Sequence, residues 1–338
     1  MMLMKGKAGF CYATVGVHPC QAKHFDTHPE GPSKLLQDLR ELALSTKQSG
    51  HTVAFGEIGL DYDRLFLSSK ESQLKWFEAQ LDLAIEVQLP LFLHSRAASE
   101  DFERLLKSRL DKLPKRGLVH SFTGTKEEML RLVDLGLNIG VNGCSLKTEE
   151  NLEVVRHIPL DRIQIETDGP WCEIRPSHAS AKYLSDAPPL PKAVKKEKWQ
   201  KGCMVKGRNE PVAIAHVAHV IAKIKGVSVE EVCEAYVLVS LSSYCCLSTK
   251  LADLVHGTIR LRCLVWGRRA IDYLCLNYDA ARVRLEQPLS FNIDRIWHYM
   301  SCTLAPRAHL HVIALIESVF SFEVLVRSPE SINVAYID

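Results

Sequence analysis

The chain of 338 residues carries little net charge: 42 Lys and Arg against 40 Asp and Glu leave a formal +2. That balance excludes a protein whose whole surface is basic, so any contact with nucleic acid must come from a local patch. No uninterrupted apolar stretch reaches the ~18 residues of a membrane span; the segment 311–327 is broken by Glu317 and Glu323. The opening MMLMKGKAGFCYATVGV runs its apolar residues straight into a strand-like segment, unlike a secretory signal. Eleven cysteines are scattered without one C-x-x-C, which favours reduced thiols over a disulfide framework. Equally absent are a P-loop, G-x-G-x-x-G, G-x-S-x-G and H-E-x-x-H, which disfavours kinases, dehydrogenases, serine hydrolases and zincins. On these absences the expectation is an intracellular protein, of nucleus or cytoplasm, with no membrane partner. The 46% hydrophobic and 24% charged residues are ordinary for such a protein.

What is present is an alternation. YATVGV (12–17), TVAFGEIG (52–59), LPLFLHS (89–95), GLVHSF (117–122), LNIGVN (137–142) and RIQIET (162–167) are short and apolar on both faces. They read as strands of a parallel sheet covered on both sides. Between them, 33–45 and 70–88 space their apolar residues three and four apart, as amphipathic helices do. Ser68 with Glu71, Thr125 with Glu128 and Ser228 with Glu231 have the spacing of a capping box. The rhythm predicts right-handed βαβ units, hence an α/β fold. Six strands are visible; a doubly wound sheet could stop there, whereas a closed barrel needs eight. Further helices follow at 210–226 and 228–237.

The stretch 176–211 breaks this rhythm with five prolines, and between Lys182 and Arg208 it holds eight basic residues against two acidic. It is expected to be a functional loop or lid, or else a solvated charged loop. Beyond Val237 the pattern fits neither period.

The strand ends carry the chemistry. GVHP brings His18, FGEIGLDYD brings Glu57 between two glycines, LFLHSR brings His94 and Arg96, LVHSFTG brings His120, and IETDGP brings Asp168. The remaining strand runs into Asn142. α/β folds build their sites at C-terminal strand ends, and five such residues in register are unlike a random scatter. A buried carboxylate such as Glu57 requires a cationic partner. Imidazole and carboxylate donors suit Zn, Mn, Fe or Ni, with Mg favoured as carboxylate and water dominate.

The motifs TVGVHP (14–19), AFGEIGLDYDR (54–64), LPLFLHSR (89–96), LVHSFTGTKEE (118–128), IETDGPWC (165–172) and KGRNEP (206–211), with NIGVNGCSLKTEENLEVV (138–155), resemble the TatD family of metal-dependent deoxyribonucleases. The resemblance covers residues 10–237. It implies a TIM barrel of the metallo-dependent hydrolase type, a DNA substrate, 3′–5′ exonucleolytic hydrolysis, and two divalent ions, Mg with Mn or Zn as alternatives. It further implies that Glu57 bridges the ions, that His94 and His120 bind one and Asp168 the other, and that Asp168 orients the attacking water. Arg96, Arg208 and His18 become phosphate contacts, Arg having the better geometry. An ion pair of Arg96 with Glu57 or Asp168 is the competing structural role. Trp171 is expected to pack beside its strand, with stacking on a base as the alternative.

The chain departs from the family at both ends. The family places a strand, a helix and a second strand before its G-x-H-P motif, so a barrel without its first strands is expected. Residues 238–338 are unfamiliar and form a divergent tail, from which 236–244 or 259–267 could supply replacement strands. Two other readings stay open: a metal-dependent hydrolase of esters or amides such as aminoacyl-tRNA, and a truncated non-catalytic product. No protein partner or oligomeric state is implied.

Overall fold

The structure, a computed structural model, describes residues 12–244. They divide into two compact units, the first spanning Ala13–Lys115 and the second running from Arg116.

In the first unit β1 (Ala13–Val15) pairs in parallel with β2 (Thr52–Asp61), and β2 with β3 (Leu91–Arg96). Helices α1 (Lys23–Asp26) and α2 (Pro32–Gln48) separate β1 from β2; α3 (Lys70–Val87) joins β2 to β3, and α4 (Ser99–Lys107) follows. β2 is buried almost throughout, as a central strand covered on both faces must be. Both α2 and α3 pack on it. The face that α3 buries includes Phe77, Leu81 and Ala84, spaced three and four apart, with Trp76 beside them. Phe77 stacks on Phe102 of α4 with centroids 5.5 Å apart, and Phe25 of α1 stacks on Trp76 at 4.6 Å. Ser69, not Ser68, caps α3 by accepting from Ser72 N–H. Ser68 is buried and instead donates to Cys20 O while accepting from Lys23 N–H, contacts that its spacing to Glu71 cannot reveal.

In the second unit β4 (Gly117–Val119), β5 (Asn138–Val141) and β6 (Ile163–Ile165) pair in parallel in that order. α5 (Lys126–Asp134) and α6 (Glu149–His157) connect them. The Thr125–Glu128 capping box forms as predicted, and Thr148 with Asn151 makes a second at the start of α6. After β6 the stretch 176–211 builds local structure of its own: β7 (Ala193–Val194) pairs with β8 (Met204–Val205). α7 (Ile214–Lys225) and α8 (Val229–Tyr244) then return to pack on β6.

All six predicted strands are present, with ends moved by up to three residues. The segment 236–244, considered as a replacement strand, is instead the second half of α8. Val237 and Val239 are buried on that helix, and Ser240 Oγ donates to Gln164 Oε1 on β6. A strand reading failed because β-branched residues and serines also occur on a helix whose packing overrides propensity. The segment 259–267 lies outside the described residues. No single described helix is long and apolar enough to cross a membrane.

The closest backbone approach in the first unit lies beside Glu57. Gly56 and Gly59 hold φ of +153° and +150°, and a Cβ on Gly59 would stand 1.8 Å from His94 O. No side chain fits there without parting β2 from β3. Gly59→Ala should therefore cost about 3 kcal/mol or prevent folding, the upper end of overpacking costs. A urea melt would check it; a loss below about 0.5 kcal/mol would contradict the close approach.

Candidate metal centre

In the first unit Glu57 is placed by a bulge. Phe55 pairs with Leu91 and Ile58 with Leu93, so Gly56 and Glu57 together oppose the single residue Phe92. A bulge adds one residue and re-aims its side chain. Glu57 is thus not at the end of its strand: β2 continues to Asp61, and that buried carboxylate is one the motif pattern passed over.

Three predicted residues meet here. His94 Nδ1 lies 2.9 Å from Glu57 Oε1, and His18 Nε2 lies 3.5 Å from the same oxygen. The two imidazoles stand edge to face with centroids 4.7 Å apart. Donor atoms of His18, Glu57 and His94 all fall within 4.8 Å of one another, close enough to hold a metal ion. Asp61 adds the fourth group, its Oδ2 3.3 Å from His94 Nε2.

This arrangement sets a proton count. Burial by itself would raise the Asp61 carboxyl, but the close contact and charge of His94, then Arg64 and Arg96, hold it below the usual carboxylate range. Asp61 Oδ2 also accepts from the Cys20 thiol, whose own pKa burial and then Asp61 push up to about 11. The Asp61 charge faces the Nε2 edge of His94 across 3.3 Å, a charge contact short of an aligned hydrogen bond. A neutral ring protonated on that edge turns its Nδ1 lone pair toward the Glu57 carboxylate. That contact is stable only with a cation at Nδ1, either a second proton or a metal ion. A metal-binding histidine commonly has a carboxylate at its other ring nitrogen, the position Asp61 occupies. His18 differs: its Nδ1 accepts from Cys20 N–H at 3.1 Å, so its neutral form carries the proton on Nε2. It fits a hydrogen-bond donor better than a metal ligand.

Two buried glutamines on α3, seven residues apart and so on one face, fix these strand ends. Gln80 accepts from Val17 N–H at 2.7 Å and donates to Val17 O at 3.1 Å. Gln73 accepts from Asp61 N–H at 2.8 Å and donates to Asp61 O at 2.9 Å. Each saturates the backbone next to a site residue, satisfying groups that would otherwise be buried unpaired. Arg96 is not in this cluster. It donates to Asp63 Oδ2 at 2.9 Å in an exposed pair, so the competing partners Glu57 and Asp168 are both corrected.

The second unit repeats the scheme. His120 Nδ1 lies 3.1 Å from Glu166 Oε2, and Glu166 Oε1 accepts from Ser121 N–H at 2.5 Å and from Asn142 Nδ2 at 3.3 Å. With Nδ1–H donated to Glu166, His120 keeps its Nε2 lone pair for a cation. A Cβ on Gly140 would come within 2.8 Å of Glu166 Oε1, so the glycine makes room for this carboxylate. Asn142 is fully buried; its Nδ2 also bonds Ser121 Oγ at 2.9 Å, and its Oδ1 accepts from Cys144 N–H. Ser121 and Asp168 hold φ of +49° and +52°, sparsely populated values for non-glycine residues that cluster at functional sites. Asp168 Oδ2 accepts from the Cys172 thiol at 3.2 Å, and Asp168 O from Trp171 N–H at 2.8 Å. Trp171 is 61% exposed, so it does not pack beside the strand as expected. Arg208 pairs with Glu210 Oε1 at 3.1 Å.

Parallel strands carrying imidazoles, with His94 and His120 each set beside carboxylates, fit a hydrolase of the metallo-dependent barrel type. The TatD related DNase family model matches residues 1–242, and the chain belongs to that family. It is 55% identical over 222 residues to the deoxyribonuclease Tat-D of Schizosaccharomyces pombe, covering 66% of this chain and 71% of that one. It is 42% identical over 190 residues to the 3′-5′ ssDNA/RNA exonuclease TatD of Rahnella, covering 55% and 68%. Among solved structures, an uncharacterized amidohydrolase from Saccharomyces cerevisiae superposes with TM-score 0.63 at 35% identity, covering 69% of this chain and 80% of that one. A TatD family hydrolase from Entamoeba histolytica gives 0.60 at 36%, covering 69% and 74%.

Asp61→Asn and Glu166→Gln keep the side-chain volume but lose the carboxylates that orient His94 and His120. Each should weaken metal binding by roughly 10–100-fold. Calorimetric titration with Mn would check this, and an unchanged affinity in both variants would remove the orienting role.

Proposed function

We propose that the chain hydrolyses DNA phosphodiester bonds, removing nucleotides from the 3′ end with two divalent ions, Mg the principal one. The observation that carries this reading is the Asp61–His94–Glu57 array, whose proton count calls for a cation, on a chain of the TatD family. The names borne by its relatives supply DNA as the substrate.

In this reading Glu57, His94, His120 and Asp168 would hold the ions. Bound divalent ions lower the pKa of water and offset charge that grows on the phosphate. The protein's own side chains do the rest. Asp61 and Glu166 keep each imidazole in one tautomer, so neither ring turns over between cycles. The Asp168 carboxylate orients the attacking water and takes its proton. His18, its Nδ1 tied to Cys20 N–H, presents Nε2–H to a non-bridging phosphate oxygen. Arg96 and Arg208 add planar donors once they exchange Asp63 and Glu210 for phosphate. The phosphorus–O3′ bond breaks as the water oxygen bonds to phosphorus, and the released O3′ is protonated from solvent. Cys20, Cys144, Cys172, Cys203 and Cys233 are free thiols, which suits an intracellular setting in nucleus or cytoplasm.

Release of nucleotides from 3′-labelled single-stranded DNA tests this. Release should need Mg or Mn, stop in EDTA, and fall by roughly three orders of magnitude or more in Glu57→Ala, while the thermal melt of that variant stays cooperative. Undiminished release by Glu57→Ala would remove the assignment. Hydrolysis of an aminoacyl ester in place of DNA would turn the reading to carbonyl chemistry. Arg208→Ala should raise KM for DNA roughly tenfold and change kcat less, as expected for a charge-assisted contact made before the transition state. An unchanged KM would take Arg208 out of the phosphate contacts.

A further inference from the structure

The strap 192–208 of the second unit carries seven basic residues, Lys192, Lys195, Lys196, Lys198, Lys201, Lys206 and Arg208, against one acid, Glu197. All seven are exposed. A run of lysines is most often only a solvated face, and three further observations separate this one from that reading. First, the strap is built. Lys206 N–H donates to Val194 O at 2.8 Å and Met204 N–H to Lys192 O at 3.1 Å; Met204 is buried, and Glu210 Oε1 accepts from Val205 N–H. A loop that serves only solubility has no need of such a frame.

Second, the strap displays an aromatic ring among its charges. Trp199 is 54% exposed, and its indole N–H is already bonded to Cys203 O at 2.8 Å. Its polar edge is satisfied inside the strap, so what it offers outward is apolar ring surface. Third, the strap is fastened beside Asp168. Buried Asn209 donates from Nδ2 to Thr167 O at 2.8 Å and from its backbone N–H to Pro170 O at 3.0 Å, one bond on each side of Asp168. Arg208 therefore sits directly before the anchor, and exposed Trp171 directly after the turn to which the anchor binds.

We propose that this strap, with Trp171, is a track for single-stranded nucleic acid that feeds the Asp168 turn. Lysines along the backbone and aromatic rings against the bases are the two elements of sequence-tolerant single-strand binding. A duplex keeps its base faces stacked, so the indoles distinguish a single strand from a double one. The net charge of only +2 on the whole chain makes such a local patch the place where a polyanion is held. This inference rests on the nuclease reading for its substrate, and the test separates the two.

Binding of a dT oligonucleotide to the full chain is followed by tryptophan fluorescence in EDTA across a salt series, and nucleotide release from the same oligonucleotide is followed in Mg. Replacing Lys195, Lys196 and Lys198 together by Gln should make the slope of log K against log salt shallower by about 2, since each phosphate contact on a single strand contributes about 0.7. Trp199→Ala should weaken binding roughly tenfold, Trp199→Phe should restore most of it, and binding of a blunt duplex should change in neither. In the release assay the same variants should raise KM more than they lower kcat. Normal release with unchanged slope, affinity and KM in these variants would overturn the track and leave the nuclease standing. Oligonucleotide binding that these variants weaken as stated, where the wild-type chain releases no nucleotide, would support the track and overturn the nuclease.

Discussion

One imidazole between a wholly buried and a partly buried carboxylate is the constraint around which the first unit is arranged. His94 faces Glu57 through one ring nitrogen and Asp61 through the other, and Asp61 is wholly buried. Two negative charges removed from water are tolerable only where a positive charge is held between them. The local architecture follows from delivering both carboxylates from one strand. Glu57 and Asp61 lie four residues apart on β2, so an unbroken pleat would turn both to the same face. The bulge at Gly56–Glu57 shifts that register, and Gly59 lets β2 approach His94 O more closely than any side chain allows. Gln73 then clamps Asp61 through both its N–H and its C=O.

The second unit solves a similar problem from three strand ends. Glu166 after β6 gathers His120, the Ser121 N–H and Asn142, drawing together residues that follow β4 and β5. A single carboxylate accepting three donors is strongly held, and the histidine it orients has one nitrogen committed. Asn209 extends the arrangement outward: a buried amide bonds on both sides of Asp168 and ties the strap 192–208 to the reacting end of the unit. In the proposed reading, the reacting carboxylate and the strand-binding surface are thus joined through the Asn209 side chain.

Much of this was legible in the residues. The strand positions, the Thr125 box and the Ser228–Glu231 box depend on neighbours within four positions, and they appear where their spacing predicts. His18, Glu57 and His94 were all singled out among polar residues at or near strand ends, which parallel strands bring to one side, although His18 was expected at phosphate and Glu57 lies inside β2. Asp61 and Glu166 were passed over, although both stand inside the quoted motifs, because LDYD and IETD each offer two carboxylates and the pattern does not say which one orients a histidine. Gln73 and Gln80 looked like the polar face of an amphipathic helix; only their burial on α3 shows that they serve strand backbones. Arg96 was expected at a phosphate, with an ion pair to Glu57 or Asp168 as the competing role, and pairs with Asp63 because β3 exposes its last residue.

By itself the sequence determined the alternation of strands and helices and the kinds of side chain at the strand ends. Periodicity and side-chain chemistry are local properties, carried by residues a turn or a pleat apart. Only the tertiary structure decided which carboxylate meets which ring nitrogen. His94 finds Glu57 across 37 positions and His120 finds Glu166 across 46. Tautomer, proton count and readiness for a cation are set by those distant partners at about 3 Å, a distance fixed by backbone register rather than by composition.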